Sequence, residues 1–181
     1  MLGFKDKEHN KYNIRLFKNI NERFITQGYI TIDLKVSGKR FYRKHNVKVL
    51  QKLVAKLMDS DELESIDIIA YDYLCQTVID TMLLKTRYPK SFYNKIIFIS
   101  PFVSSRFNFT SIKGHYKELF NFYSYSDKDA LLNCDGQAGY LGFTKRVRNV
   151  KNILTNYKHY DYFDSKYSTM LEYLTKIIGG K

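Results

Sequence analysis

The 181 residues, 44% of them apolar and only two of them cysteine, suit one folded domain and exclude both a disordered tail and a disulfide-stapled miniprotein. The balance of 30 Lys+Arg against 18 Asp+Glu, a net charge of +12, makes nucleic acid a partner to weigh. No run approaches the ~20 apolar residues of a membrane span, and Met1 to Lys11 is polar, without the apolar segment of a secretory signal. A soluble, intracellular, cytoplasmic protein is expected, with Cys75 and Cys134 as free thiols.

In chain order, Asn13 to Phe17 reads as a short strand, and Asn21 to Gln27 as a short helix closed by Gly28. Tyr29 to Val36 is rich in β-branched residues and alternates, which predicts a strand broken at Ser37-Gly38. Residues 46–59 carry Val47, Leu50, Leu53, Val54, Leu57 and Met58 at helical spacing, with lysines opposite. Ile66 to Ala70 is apolar without alternation, as in a strand buried on both faces. Leu74 to Tyr88 reads as a helix with Leu74, Val78 and Met82 on one stripe, stopped by Pro89.

A second buried strand spans Lys95 to Ser100, closed by Pro101, and a third spans Glu118 to Tyr123. A helical turn is expected at 129–132, and Gly136, Gly139 and Gly142 read as the punctuation of a loop. Val150 to Leu154 is the last strand. A closing helix over about 165–178 turns Tyr167, Met170, Leu171, Leu174, Ile177 and Ile178 inward. Buried strands alternating with amphipathic helices predict an α/β fold, a three-layer sandwich around a mainly parallel central sheet, in a single domain spanning 1–181.

Parallel sheets place their sites at the carboxyl ends of strands. Three such ends carry chemistry. Asp72 sits in the strand-to-helix turn Tyr71-Asp72-Tyr73, either as a helix N-cap or as a nucleophile near backbone N–H groups. Asp127 follows the third strand, as a turn or cap residue or as a carboxylate that orients a histidine. His159 follows the last strand and is of the type that moves protons near pH 7. Asp129 and Asp161 are near enough in sequence to replace Asp127 and His159, and Tyr73 or Cys75 to replace Asp72, the thiol with a pKa lowered by the helix dipole. No phosphate loop, dinucleotide fingerprint or zinc spacing is present, so no cofactor and no metal is assigned.

Several segments in this order resemble the α/β-hydrolase superfamily. Gly28-Tyr29-Ile30-Thr31-Ile32-Asp33 followed by Ser37-Gly38 is similar to that family's entry into a strand and exit through a glycine loop. Ile96-Ile97-Phe98-Ile99-Ser100-Pro101 is similar to the strand after the nucleophile, Phe120 to Ser124 with Asp127 to the strand that delivers the acid, and Val150 to Ile153 with His159 to the strand before the histidine. The family's G-x-S-x-G elbow reads Ala70-Tyr71-Asp72-Tyr73-Leu74 here, with an aspartate for the serine and no glycine.

The resemblance therefore implies a shortened hydrolase-like domain, catalytically degenerate and used for binding or structure, with a protein partner or a small ester-like ligand. A first alternative is an active hydrolase of esters or epoxides with Asp72 as nucleophile, His159 as base and Asp127 as acid, as in relatives that attack with a carboxylate. A second is a basic module binding nucleic acid, or another viral component, through Arg40, Arg43, Lys44, Arg146 and Arg148, continued by Lys151. The Lys-, Asn-, Ile- and Tyr-rich usage without Trp also fits an AT-rich coding sequence of viral or low-GC origin, which explains the charge without a partner.

Overall fold

The strands that read as buried form one parallel sheet. A computed structural model describes residues 2–4, 34–36, 43–59, 65–84, 92–132, 137–163 and 168–179. Two short strands, β1 (Leu2–Phe4) and β2 (Leu34–Val36), pair in parallel. Strand β1 has no counterpart in the sequence reading. The strand expected at Asn13 to Phe17, the helix at Asn21 to Gln27 and most of the strand from Tyr29 lie outside the described residues. The main sheet contains β3 (Ile66–Tyr71), β4 (Tyr93–Ile99), β5 (Tyr116–Tyr123) and β6 (Val150–Leu154), hydrogen-bonded in that order and all parallel.

Successive strand residues face opposite sides, and each side has its own apolar core. On one face, Ile68, Ala70, Ile96, Phe98 and Leu119 meet helices α1 (Arg43–Met58) and α2 (Tyr73–Leu83). Helix α1 buries Val47, Leu50 and Val54, the stripe its spacing predicts, and α2 buries Leu74, Cys75, Val78, Ile79 and Met82. On the other face, Ile69, Tyr71, Ile97, Ile99, Phe120 and Phe122 meet Met170, Leu174 and Ile178 of helix α5 (Ser168–Gly179). Tyr167 lies outside the described residues. Strands buried on both sides carry continuous apolar runs, which is why β3 and β4 show no alternation in sequence.

Two expected elements differ. Helix α2 ends at Leu83 rather than at Tyr88: its buried stripe runs out at Met82, Leu83 and Leu84 are exposed, and Leu84 is already extended at ψ 120°. Pro89 lies outside the described residues. The expected glycine loop is partly helical. After the short helix α3 (Lys128–Leu132), helix α4 (Gln137–Leu141) contains Gly139, and Gly142 closes it at φ 73° with its N–H on the Ala138 carbonyl. Gly136 lies outside the described residues.

Gly139 is a packing residue rather than a turn residue. A Cβ there would lie 2.9 Å from the Ser100 carbonyl carbon and 2.9 Å from Ala130 Cβ. Its N–H bonds the Pro101 carbonyl at 3.0 Å, and its carbonyl accepts from Ser124 N–H at 2.9 Å. It thus ties the ends of β4 and β5 together where the site forms. A Gly139→Ala substitution is expected to destabilise the fold by about 1–3 kcal/mol despite alanine's better helix propensity, because backbone must move. Urea unfolding of the two proteins measures this; equal midpoints and slopes would contradict the packing account.

Candidate active site

Three strand ends converge. Asp72 occupies the turn from β3 into α2 with φ 57° and ψ −129°, a combination that L-residues other than glycine rarely adopt. The turn is fixed by backbone bonds: Asp72 N–H donates to Ile99 O at 3.1 Å, and Cys75 N–H and Phe102 N–H donate to Asp72 O at 3.2 and 3.3 Å. Glycines are not needed to accept the turn. Tyr73 swings against Phe102, ring centroids 4.6 Å apart and edge to face, and Leu74 fills the core beneath. The cap alternative for Asp72 fails, because its side chain makes no capping hydrogen bond. Its Oδ1 is buried without a hydrogen-bond partner among the described residues.

Asp127 follows β5 and is fully buried. Its Oδ1 accepts from Ala130 N–H at 3.0 Å, so the residue does cap α3. Both of its carboxylate oxygens also lie 3.1 Å from His159 Nδ1, so the cap and the histidine-orienting contact coexist in one side chain. His159 follows β6, in a loop held by Thr155 Oγ1 and Tyr162 Oη at 2.9 Å and by the Tyr71 hydroxyl, which donates to the His159 carbonyl at 2.9 Å. Its ring lies 5.1 Å from a stacked Phe102, 5.0 Å from Tyr71 and 4.9 Å from Tyr160. The other imidazole nitrogen, Nε2, faces Asp72 Oδ2 at 3.8 Å, an ion-pair distance rather than a hydrogen bond.

The candidate residues Asp72, Asp127 and His159 are therefore brought together around one imidazole. The substitutes are not. Asp129 is exposed on α3, and Asp161 accepts from Lys158 N–H within its own turn. Burial, then the nearby Asp72 charge, push the Cys75 thiol well up, opposite to the lowered value a reactive cysteine there would need. A residue missed in sequence joins the cluster: Ser100, at the end of β4, donates its hydroxyl to Asp127 Oδ2 and sits 2.8 Å from His159 Nδ1.

The electrostatics follow from burial and pairing. Burial raises the Asp72 pKa, and contacts with His159 and the Tyr73 N–H offset this only in part. Burial lowers that of His159, but the Asp127 and Asp72 carboxylates outweigh it and lift the pKa to about 9. Near pH 7 His159 is therefore an imidazolium, with Asp127 at its Nδ1 and Asp72 facing its Nε2. Among the described residues, no group of three His, Cys, Asp or Glu side chains is arranged to hold a metal ion.

The candidate nucleic-acid contacts are dispersed over separate elements. Arg40 lies outside the described residues. Arg43 opens α1 and is paired with Asp80, Nη2 to Oδ1 at 2.7 Å, with Lys44 exposed beside it in sequence. Arg146 and Arg148 are exposed in the segment that leads into β6, and Lys151 pairs with Glu118 at 2.5 Å. Among the described residues, no helix is long and apolar enough to cross a membrane.

No protein-family model matches the sequence, and a search of curated proteins returns no match.

The His159 assignment has a direct check. Its imidazole should titrate by NMR near pH 9, and Asp72→Asn should lower that value by removing one of the two charges that raise it. The same linkage sets a sign for stability. The protonated form is favoured in the folded state, so this contribution is full below about 6.5 and is lost as pH rises through about 9. A His159 value that Asp72→Asn leaves unchanged would contradict the pairing.

Proposed function

We propose that this protein is an α/β-hydrolase-like enzyme that takes neutral electrophiles by covalent attack from Asp72, opening epoxides to an ester on Asp72 or acyl esters to an anhydride on it with release of the alcohol. In this reading the sheet with helices on both faces is the three-layer sandwich of that superfamily. The observation that carries it is the strained turn at Asp72, φ 57° and ψ −129°, aimed at an imidazole whose far side is held by Asp127. A hydrolase nucleophile sits on such a strained strand-to-helix turn, and an unpaired, buried carboxylate oxygen has no structural use there. These features favour activity over the degenerate binding domain that the altered elbow suggests.

The steps balance for an epoxide. An Asp72 oxygen attacks the ring carbon, the ring C–O bond breaks, and the electron pair leaves on the former ring oxygen. Ester formation cancels the Asp72 charge, one of the causes that hold the His159 pKa up. The imidazolium then releases its proton, which neutralises the alkoxide. Neutral His159 takes a proton from water as that water attacks the Asp72 carbonyl carbon, with Asp127 orienting the ring. Collapse of the tetrahedral adduct expels the second product oxygen, which takes the carboxyl proton, and free Asp72 beside protonated His159 returns.

His159→Gln should stall after the first step, since loss of a general base slows hydrolysis by roughly 100- to 10,000-fold. Incubated with a panel of epoxides and activated esters, that variant should accumulate an adduct by intact-mass spectrometry, located on the peptide carrying Asp72. Asp72→Asn should form none. A panel that is turned over by Asp72→Asn as fast as by the native protein would contradict the proposal.

A further inference from the structure

Ser100 has no role in the steps above, yet its geometry is tightly constrained. It directly follows β4, the strand hydrogen-bonded to β3, so it stands beside the Asp72 turn at the carboxyl end of the sheet. It is fully buried and holds φ 46°, where a residue with a side chain is strained and glycine is not. Its backbone is pinned from two sides: Ser100 N–H donates to Phe122 O at 2.9 Å, and Gly139 packs against its carbonyl carbon. Glycine would meet this backbone at no strain, so what serine adds is the hydroxyl.

We propose that Ser100 is a positioning residue that sets the orientation of both His159 and Asp127. The hydroxyl has one proton, donated to Asp127 Oδ2. Its lone pairs remain for His159 Nδ1, 2.8 Å away and nearer than either Asp127 oxygen at 3.1 Å. Nδ1–H is thus directed between the Ser100 oxygen and the carboxylate, and the ring is turned so that Nε2 faces Asp72. Asp127 is gripped at both ends: the Ser100 hydroxyl holds Oδ2, and Ala130 N–H holds Oδ1. The hydroxyl is a link between base and acid, and removing it frees the carboxylate to rotate and the imidazole Nδ1–H to lose its nearest acceptor.

The catalytic consequence rests on the covalent reading of Asp72, but the positioning itself is measured without substrate. Ser100→Ala removes the hydroxyl and keeps the backbone strain; Ser100→Gly removes both, so it folds even where the alanine variant does not. In each, solvent exchange of the His159 Nδ1 proton, followed by NMR, should be faster by about fivefold to tenfold, the loss expected for one hydrogen bond. Hydrolysis of the Asp72 ester, followed through a single turnover, should slow by about as much.

If both variants keep the native exchange rate, the proposal is overturned. If exchange quickens in both, the positioning role stands. The absence of any Asp72 adduct in the native and His159→Gln proteins would then count against the covalent reading alone.

Discussion

The site depends on the His159 imidazole lying between two carboxylates out of water. Burial alone disfavours the charged form of such a ring, and it disfavours the charged form of Asp72 for the same reason. Each group is tolerable because the others are present. Asp127 holds Nδ1, Asp72 faces Nε2, and the positive ring compensates both, which is why its pKa rises to about 9 although only 4% of the residue is exposed. The arrangement requires that three strand ends hold their relative positions closely, since a long or rotated contact in a buried ionic cluster leaves an uncompensated charge.

The parallel sheet supplies that rigidity. Asp72 comes from β3, Ser100 from β4, Asp127 from β5 and His159 from β6, so each strand of the main sheet delivers one member of the cluster at its carboxyl end. Two of the four residues, Asp72 and Ser100, hold strained backbone. Each such residue costs on the order of 1–3 kcal/mol. The apolar layers on both faces, with Leu74, Val78, Ile96, Ile97, Phe98 and Phe122 fully buried, offset that cost and leave the turns no easier conformation. Gly139 serves the same end from α4, allowing the β4 and β5 turns to approach where any side chain would force them apart.

Much of this was legible in the sequence, and for identifiable reasons. Buried parallel strands announce themselves by uninterrupted apolar runs, and the rule that sites lie beyond strand ends points to Asp72, Asp127 and His159. What failed depended on backbone geometry and on contacts distant in sequence. The absence of glycine around Asp72 hides the strained turn in the sequence, but Tyr73 packs on Phe102 and Leu74 enters the core. Gly139 looked like a loop residue because its packing partners, Ser100 and Ala130, come from other elements. In the sequence Ser100 reads only as the end of a strand before proline. The same strand-end rule, applied to β4 as to its neighbours, would have singled it out.

The measurement that bears most directly on the account is the fate of water's oxygen during turnover. The native protein is allowed to turn over a substrate once in heavy-oxygen water, and the peptide carrying Asp72 is then weighed. A carboxylate nucleophile regenerated by attack at its own carbonyl carbon takes up the label, so a heavier Asp72 is predicted. An unlabelled Asp72 beside a labelled product would mean that water attacks the substrate directly, and the strained turn would then have some other purpose.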